Sequence, residues 1–358
     1  MELVLVTGGL GFIGSHIVDA LVERGSGVRV LDCLHPFSHQ AEPGYRNPAA
    51  EYVRGDVCDP ATVAEAVRGV TAVSHQAAMV GMGVDLRDAP GYVANNDLGT
   101  AVLLAELSAA RFAGRFVLAS SMVVYGDGRY RCGRHGDVAP HPRLAEDLAA
   151  GRFDPLCPDC RAPLAAAPVS EDAPTDPRTV YAATKLHQEH LCTVFGRETG
   201  AAITRLRYHN VYGPRMPRDT PYSGVAAIFR SALETGAAPE VYEDGGQLRD
   251  FVHVSDVTAA NLLALEAGRP GAVYNIATGM PTTVADMARA LCARLRPDVG
   301  PRISGRFRLG DVRHVVGSPA RASRELGFAA RIAFADGMAE FARAPLRAPV
   351  SPRADEAA

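Results

Sequence analysis

A phenol and an amine lie at helical spacing near the middle of this 358-residue sequence. Tyr181 and Lys185 are four residues apart, so both side chains fall on the same face of a helix. An isolated phenol has a pKa of about 10 and is a poor base at neutral pH. A neighbouring ammonium group and the positive charge of an oxidised nicotinamide lower that pKa. The phenolate can then take a proton from a hydroxyl group while hydride leaves the same carbon, so the pair indicates alcohol oxidation.

Lys185 is the only lysine among the 37 basic residues, and the others are arginines. Such a preference for arginine over lysine is typical of a GC-rich genome. A lysine retained against it indicates a site where a planar guanidinium cannot replace a compact, titratable amine. The alternatives are an exposed helical pair and a surface lysine retained by chance.

Two serines follow a predicted buried strand at 115–119. In open α/β sheets, ligands bind at the carboxyl ends of the strands. We therefore expect Ser121 to share the substrate oxygen with Tyr181. Ser120 is the alternative for that role and a predicted cofactor contact.

A glycine-rich turn between a predicted strand and a predicted helix indicates a dinucleotide site. Glycine allows a tight turn and close approach of the backbone to a pyrophosphate, while the helix N-terminus offers free N–H groups. Three glycines can also simply form a turn, but the strand–turn–helix context favours the dinucleotide. The predicted contacts in this turn are Gly8, Gly11, Phe12, Ile13 and Gly14.

Two acidic residues extend the predicted cofactor site. Asp32 ends the second predicted strand, where a carboxylate accepts hydrogen bonds from the adenosine ribose and repels a 2′-phosphate. This position favours NAD over NADP. Asp56 and Val57 are predicted to contact the adenine, although both acidic residues also suit ordinary turns.

Predicted strands and helices alternate along the part of the chain that carries these residues. This alternation predicts an α/β protein with a Rossmann-type, doubly wound parallel sheet. The predicted strands lie at 2–7, 27–31, 51–53, 72–75, 115–119 and 202–206, and the predicted helices at 15–24, 61–67, 97–110 and 180–198.

Composition excludes several classes of protein. The hydrophobic fraction of 47% and the charged fraction of 22% are those of a globular protein. The net charge is −3 with scattered arginines, so we expect no nucleic-acid partner. Apolar runs are too short for a membrane span, and no basic region precedes the first strand, so we expect no secretory signal and a cytoplasmic protein. Seven cysteines, an odd number, argue against a disulfide framework.

Four possible metal ligands lie in a Pro- and Arg-rich insertion at 127–179. Cys132 with His135, and Cys157 with Cys160, each have the spacing of a zinc knuckle, and together they match a closed structural zinc site. Such an ion would fold a segment that is too polar to build a core. The alternatives are incidental cysteines in a flexible insertion, a redox pair, and replacement of His135 by His141 or water.

An ordered set of motifs resembles the extended short-chain dehydrogenase/reductases, in their NAD-dependent nucleotide-sugar epimerase and dehydratase branch. The resemblance implies that Ala77, Ala78 and Asn96 contact NAD. It also implies that a dTDP- or UDP-linked sugar is bound by Asn210, Arg249, Arg308 and Asp311. The motifs lie at 7–14, 75–78, 96–100, 120–126, 181–185, 207–214, 249–253, 274–279 and 310–311.

The resemblance also implies a domain organisation and an assembly. We expect a homodimer that pairs the helices at 97–110 and 180–198. An NAD-binding domain covers 1–211, includes the insertion, and regains 252–268. A smaller, discontinuous nucleotide-sugar-binding domain covers 212–251 and 269–343, and 344–358 form a flexible tail.

The residues after the predicted catalytic hydroxyl limit the reaction. Related dehydratases and decarboxylases carry acidic residues where this chain has Met122 and Val123. This difference argues against elimination and leaves 4-epimerisation, or simple oxidation and reduction. Asp32 fits an enzyme that retains NAD better than a reductase that consumes NADPH, and so favours the epimerase. The alternatives are a 4-ketosugar reductase or sugar dehydrogenase, and a non-catalytic NAD-binding regulator.

A resemblance to one subfamily indicates the identity of the sugar. The stretch at 77–85, the cysteine-bearing insertion and the helix at 180–189 resemble bacterial dTDP-L-rhamnose 4-epimerases, which make dTDP-6-deoxy-L-talose. A UDP-hexose or UDP-uronate 4-epimerase is the alternative.

Overall fold

The N-terminal part of the chain alternates strands and helices, as the sequence predicts. The computed structural model describes residues 2–36, 38–39, 42–81, 86–218 and 224–347. The elements are β1 (Leu3–Thr7), α1 (Phe12–Glu23), β2 (Gly27–Asp32), β3 (Glu51–Arg54), α2 (Pro60–Ala66), β4 (Ala72–His75), α3 (Ala89–Tyr92), α4 (Gly99–Ala109) and β5 (Arg115–Ser121). Short 3-10 turns lie at Leu86–Asp88 and Met122–Tyr125, and a π-helix, Val93–Leu98, joins α3 to α4.

The insertion after β5 is folded. Its elements are β6 (Arg129–Cys132), β7 (Gly136–Val138), α5 (Ala145–Ala149) and β8 (Ala165–Ala167). The strands form a small antiparallel sheet in the order β7–β6–β8. Tyr130, Cys132, Cys157 and Leu164 are buried together beneath it.

The rest of the chain completes the main sheet and forms a second core. Its elements are α6 (Val180–Thr199), β9 (Ala202–Tyr208), β10 (Asn210–Tyr212), α7 (Val225–Glu234), β11 (Glu240–Val241), β12 (Leu248–Arg249), β13 (Phe251–His253), α8 (Val254–Ala267), β14 (Ala272–Ile276), β15 (Thr282–Thr283), α9 (Val284–Leu295), β16 (Arg302–Ile303), β17 (His314–Val315), α10 (Ala320–Leu326) and α11 (Phe334–Arg343). None of the helices in the described ranges has the length and apolar character that crossing a bilayer requires.

Among the described residues, seven parallel strands form the main sheet, in the order β14–β9–β5–β4–β1–β2–β3. The predicted doubly wound α/β fold is therefore confirmed. The chain leaves β1 towards β2 and β3 and then crosses back to β4, so the strand order reverses between β1 and β4. In sheets of this kind the crevice at this reversal binds ligands.

Helices cover both faces of the sheet because successive side chains of a buried strand point to opposite sides. Val4 and Val6 pack in a core formed with α1, α8 and α10. Leu5, between them, packs in the opposite core with α2, α4 and α6. A third core, formed by α7, α9 and α11, surrounds Tyr212.

Two of the expected domain boundaries need correction. We assigned 269–343 to the substrate domain, but β14 lies within that range and pairs with β9 in the main sheet. The motif at 274–279 therefore begins in a core strand. The described part of the expected tail, 344–347, is also packed, because Leu346 contacts the third core and Arg347 contacts Leu10. Residues 348–358 of that tail lie outside the described residues.

Candidate active site

The turn between β1 and α1 leaves no room for side chains. Gly8 has a φ of +66°, and its carbonyl oxygen accepts a hydrogen bond from Gly11 N at 2.9 Å. A Cβ atom on Gly14 would lie 2.2 Å from that oxygen. No side chain among the described residues caps the start of α1, so its first N–H groups are available to a ligand. The turn therefore fits the pyrophosphate of a dinucleotide.

A cavity of about 350 Å³ runs from this turn to the start of α6. Its walls contain every predicted catalytic residue and all but one of the predicted cofactor residues. These residues are Gly8, Gly11, Phe12, Ile13, Gly14, Asp32, Asp56, Val57, Ala77, Ala78, Ser120, Ser121, Tyr181 and Lys185.

Asp32 is anchored at the carboxyl end of β2. Its carboxylate accepts hydrogen bonds from Leu34 N at 2.8 Å and Leu10 N at 2.9 Å. Burial raises the pKa of Asp32, while these hydrogen bonds and the nearby guanidinium of Arg347 oppose the rise. Arg347 lines the same cavity, and the sequence analysis missed it because it lies in the segment interpreted as a tail.

Asn96, the remaining predicted cofactor residue, does not line the cavity, so this prediction needs correction. Its side chain is fully buried and bonds both backbone groups of Met79, at 2.7 and 3.0 Å. It also donates to Thr184 Oγ1 at 2.9 Å. Asn96 therefore ties the segment after β4 to α6, and Asn95 contributes to the cavity wall instead.

The predicted catalytic residues converge at the start of α6. Thr179 caps this helix by accepting a hydrogen bond from Ala182 N at 3.1 Å. Tyr181 lies beside the Ser121 hydroxyl, and its ring lies 6.0 Å from the ring of Tyr92. The Nζ atom of Lys185 donates to the Ala119 carbonyl at 2.9 Å and lies 6.0 Å from the centroid of the Tyr181 ring.

Burial changes the proton affinities of both groups, and for the phenol it opposes the lowering that we predict with NAD bound. Burial raises the pKa of Tyr181 to about 12, although the neighbouring Ser121 hydroxyl opposes the rise. Burial also lowers the pKa of Lys185 to about 8. In the protein without NAD, the loss of water around the phenolate therefore raises the phenol pKa by more than the neighbouring ammonium group lowers it. Lowering of the phenol pKa would have to come from the nicotinamide cation.

A buried ion pair fixes the neighbouring part of α6. Glu189 accepts hydrogen bonds from Arg207 at 2.9 and 2.8 Å and from the Ser120 hydroxyl at 2.5 Å. Both charged side chains are almost fully buried. Ser120 is thus already hydrogen-bonded to a carboxylate, which leaves Ser121 as the hydroxyl beside Tyr181.

The predicted substrate residues lie beyond this cavity. Asn210 is at the start of β10, and among the described residues its Oδ1 atom is one of those buried without a hydrogen-bond partner. The guanidinium of Arg249 donates to main-chain carbonyls, and that of Arg308 lies 5.3 Å from the ring of Tyr242. Burial raises the pKa of Asp311, and the charges of Arg308 and Arg249 oppose the rise, so the three groups share one region.

The four predicted metal ligands of the insertion come together. Their ligand atoms all lie within 4.8 Å of one another. Cys132 Sγ is 3.6 Å from Cys160 Sγ, and His135 Nδ1 is 3.3 Å from Cys157 Sγ. Tetrahedral ligands about 2.3 Å from a zinc ion are separated by about 3.8 Å. The donor set and its spacing therefore fit a structural zinc ion.

The fold and the site together define a Rossmann-type dinucleotide-binding protein with a Tyr–Lys–Ser centre. The model of the NAD-dependent epimerase/dehydratase family matches residues 4–145 and 158–277. The chain belongs to this family, and the resemblance inferred from its motifs is confirmed.

Individual relatives cover nearly the whole chain. A dTDP-L-rhamnose 4-epimerase of Burkholderia thailandensis is 34% identical over 346 residues, which are 94% of this chain and 93% of that protein. The UDP-glucose 4-epimerase of Thermus thermophilus, solved with NAD, matches with a TM-score of 0.76 and 30% identity, over 95% of this chain and 98% of that one. The UDP-glucose 4-epimerase of Thermotoga maritima, solved with UDP-glucose, has a TM-score of 0.78 and 29% identity, over 95% and 97%.

The protonation of Lys185 can be measured directly because it is the only lysine. Protein labelled with ¹⁵N-lysine and freed of nucleotide should give one Nζ resonance, with a titration midpoint of about pH 8 rather than the usual 10.5, because burial disfavours the ammonium form. The amine is thus charged below this midpoint and neutral above it. Lys185→Arg should remove the signal, and a midpoint near 10.5 would contradict the buried position.

Proposed function

We propose that the protein is an NAD-dependent nucleotide-sugar 4-epimerase. The observation that carries this proposal is the convergence of Tyr181, Lys185 and Ser121 at one end of a cavity whose other end is a pyrophosphate-binding turn. A hydroxyl group placed beside Tyr181 would be within reach of both a base and a hydride acceptor. Membership in the epimerase/dehydratase family supports this interpretation.

The side chains suggest how the proton moves. Tyr181 takes the proton of the C4 hydroxyl as the 4-keto sugar forms and returns it after the sugar has rotated. Ser121 bonds the same oxygen and keeps it beside the phenol. Lys185 supplies positive charge below about pH 8. The glycine turn at 8–14 and the cavity beside it would hold NAD, which would supply the acceptor for the C4 hydride and its return to the opposite face of the sugar.

The surroundings of the catalytic hydroxyl favour epimerisation over elimination. Met122 is buried, and Val123 packs against the same apolar cluster, which includes Val169 and Val315. Neither side chain can transfer a proton, whereas loss of water from the sugar would need an acid at this position. The 4-keto sugar therefore meets no acid at this position that would promote loss of water, and it is reduced again.

We propose dTDP-L-rhamnose as the substrate and dTDP-6-deoxy-L-talose as the product. The Burkholderia thailandensis relative supports this choice, since the similarity extends over almost both full lengths. The proposed contacts to the nucleotide sugar are Asn210, Arg249, Arg308 and Asp311. The two arginines suit its diphosphate, because guanidinium groups form forked hydrogen bonds with a diphosphate. A UDP-hexose is the second candidate, supported by the Thermotoga maritima structure with UDP-glucose.

Product analysis tests this function. Purified protein incubated with dTDP-L-rhamnose, UDP-glucose or UDP-glucuronate should convert one of them to its C4 epimer, as measured by NMR, without accumulation of NADH. Tyr181→Phe should retain bound NAD and lower kcat by about 100- to 10,000-fold, because the proton acceptor is lost. Tyr52→Phe, which removes a phenol outside the cavity, serves as the control.

Other results would redirect the proposal. Consumption of external nicotinamide in proportion to product would select a reductase or dehydrogenase. Bound NAD without turnover of any of these sugars would favour a non-catalytic regulator.

We also propose that Cys132, His135, Cys157 and Cys160 bind one structural zinc ion. Their spacing and donor types support it, and the ion would hold the sheet of β6, β7 and β8 to the 157–160 turn. The reduced thiols that such a site needs also support the cytoplasmic location expected from the sequence.

Metal analysis tests the zinc site. Purified protein should contain about one zinc ion per chain. Cys157→Ser should lose the metal and make the insertion sensitive to limited proteolysis, because metal binding contributes directly to folding. Cys58→Ser, a substitution outside the cluster, should retain both properties. A metal-free wild-type protein with a protease-resistant insertion would contradict the proposal.

We propose that two chains pair through the surface of α4 and α6, as the family resemblance implies. Leu98, just before α4, and Val194 on α6 are each 51% exposed, which supports a covered surface there. Light scattering should give about twice the chain mass of 37.8 kDa. Val194→Glu should shift the protein to monomers, whereas Ile228→Glu, equally exposed on α7, should not. A monomeric wild-type protein would contradict this assembly.

A further inference from the structure

Arginine side chains hold three successive carbonyl groups just before β17. Arg249 donates to the carbonyl oxygens of Val312 at 2.7 Å and Arg313 at 2.9 Å. Arg143 donates to the carbonyl oxygen of Asp311 at 2.6 Å. Arg249 belongs to β12, whereas Arg143 comes from the insertion. Two separate parts of the chain thus fix the segment 311–313.

Arg143 also enters a buried charge network. It donates to Glu243 at 2.7 Å, and the other oxygen of that carboxylate accepts from Arg313 at 2.8 Å. The side chains of Glu243 and Arg313 are each only 3% exposed, and that of Arg143 is 12% exposed. A buried carboxylate requires compensating positive charge. The carboxylate of Glu243 receives it from two guanidinium groups, those of Arg143 and Arg313.

Further groups of the insertion contact the same segment. Asp154 accepts from Arg313 Nε at 2.8 Å, and the hydroxyl of Tyr130 accepts from His314 N at 3.2 Å. The carbonyl of Phe153 accepts from Arg143 at 3.3 Å. Asp154 and Phe153 lie at 146–157, which the family model does not match. Tyr130 and Arg143 lie within the matched range 4–145, so the insertion holds this segment with residues from both parts.

We propose that Arg143 is a positioning residue for binding of the nucleotide sugar. By fixing 311–313, it holds Asp311 and Arg249 in place, the groups assigned to that ligand, so the inference rests on the proposed function. A guanidinium can serve three acceptors at once because its five N–H groups point in fixed directions. Without it, the ligand must order the segment on binding, and that cost reduces affinity.

Calorimetric titration of the full-length protein with dTDP and UDP tests this role. Arg143→Gln should weaken binding of the preferred diphosphate by about 10- to 100-fold, because hydrogen bonds from a charged donor are lost. KM for the nucleotide sugar should rise similarly, whereas kcat and the NAD content of the purified protein should stay unchanged. Arg143→Lys, which keeps the charge but not the fork, should give intermediate affinity.

The matched control is Arg152→Gln, also in the insertion, where the arginine is 60% exposed and pairs with Asp147. It should bind the diphosphate like the wild type. Equal affinities for Arg143→Gln and wild type would overturn the inference and leave the proposed function intact. A parallel loss of NAD and kcat would also overturn it, since that pattern indicates general destabilisation. A wild-type protein that binds neither dTDP nor UDP would overturn the proposed function, and the inference with it.

Discussion

The burial of the Lys185 ammonium group is the constraint on which the rest of the site depends. A charged amine with 3% exposure needs a fixed acceptor, and the carbonyl of Ala119 near the end of β5 provides it. This contact fixes the distance between β5 and α6. It therefore also fixes the relation of Ser121, on the strand, to Tyr181, on the helix.

Polar contacts along α6 also fix this helix against α4 and β9. Gln188 donates to Thr100 of α4 at 2.6 Å, and His75 at the end of β4 shares the same hydroxyl at 2.9 Å. Further along, Glu189 pairs with Arg207 of β9. Hydrogen bonds of this kind form in one arrangement only, so they specify the position of the helix more sharply than apolar packing does.

Features that depend on local spacing were predictable from the sequence, and features that depend on distant packing were not. The glycine turn, the Tyr181–Lys185 pair and the cysteine cluster each follow from short spacings. Asn96 was misassigned because its partners, Met79 and Thr184, are set by the packing of α6. The rise in the pKa of Tyr181 caused by burial was not predictable, because the burial of a side chain cannot be read from its neighbours in sequence. Arg143 carries no signal among so many arginines.

The folded insertion has a consequence for how the two catalytic elements meet. Ser121 and Tyr181 are separated by the whole of 122–180, and closing a loop of that length costs chain entropy. Pairing of β6 with β7 and β8 shortens the free path between the ends of this segment. A folded insertion therefore lowers the entropy cost of bringing Ser121 and Tyr181 together.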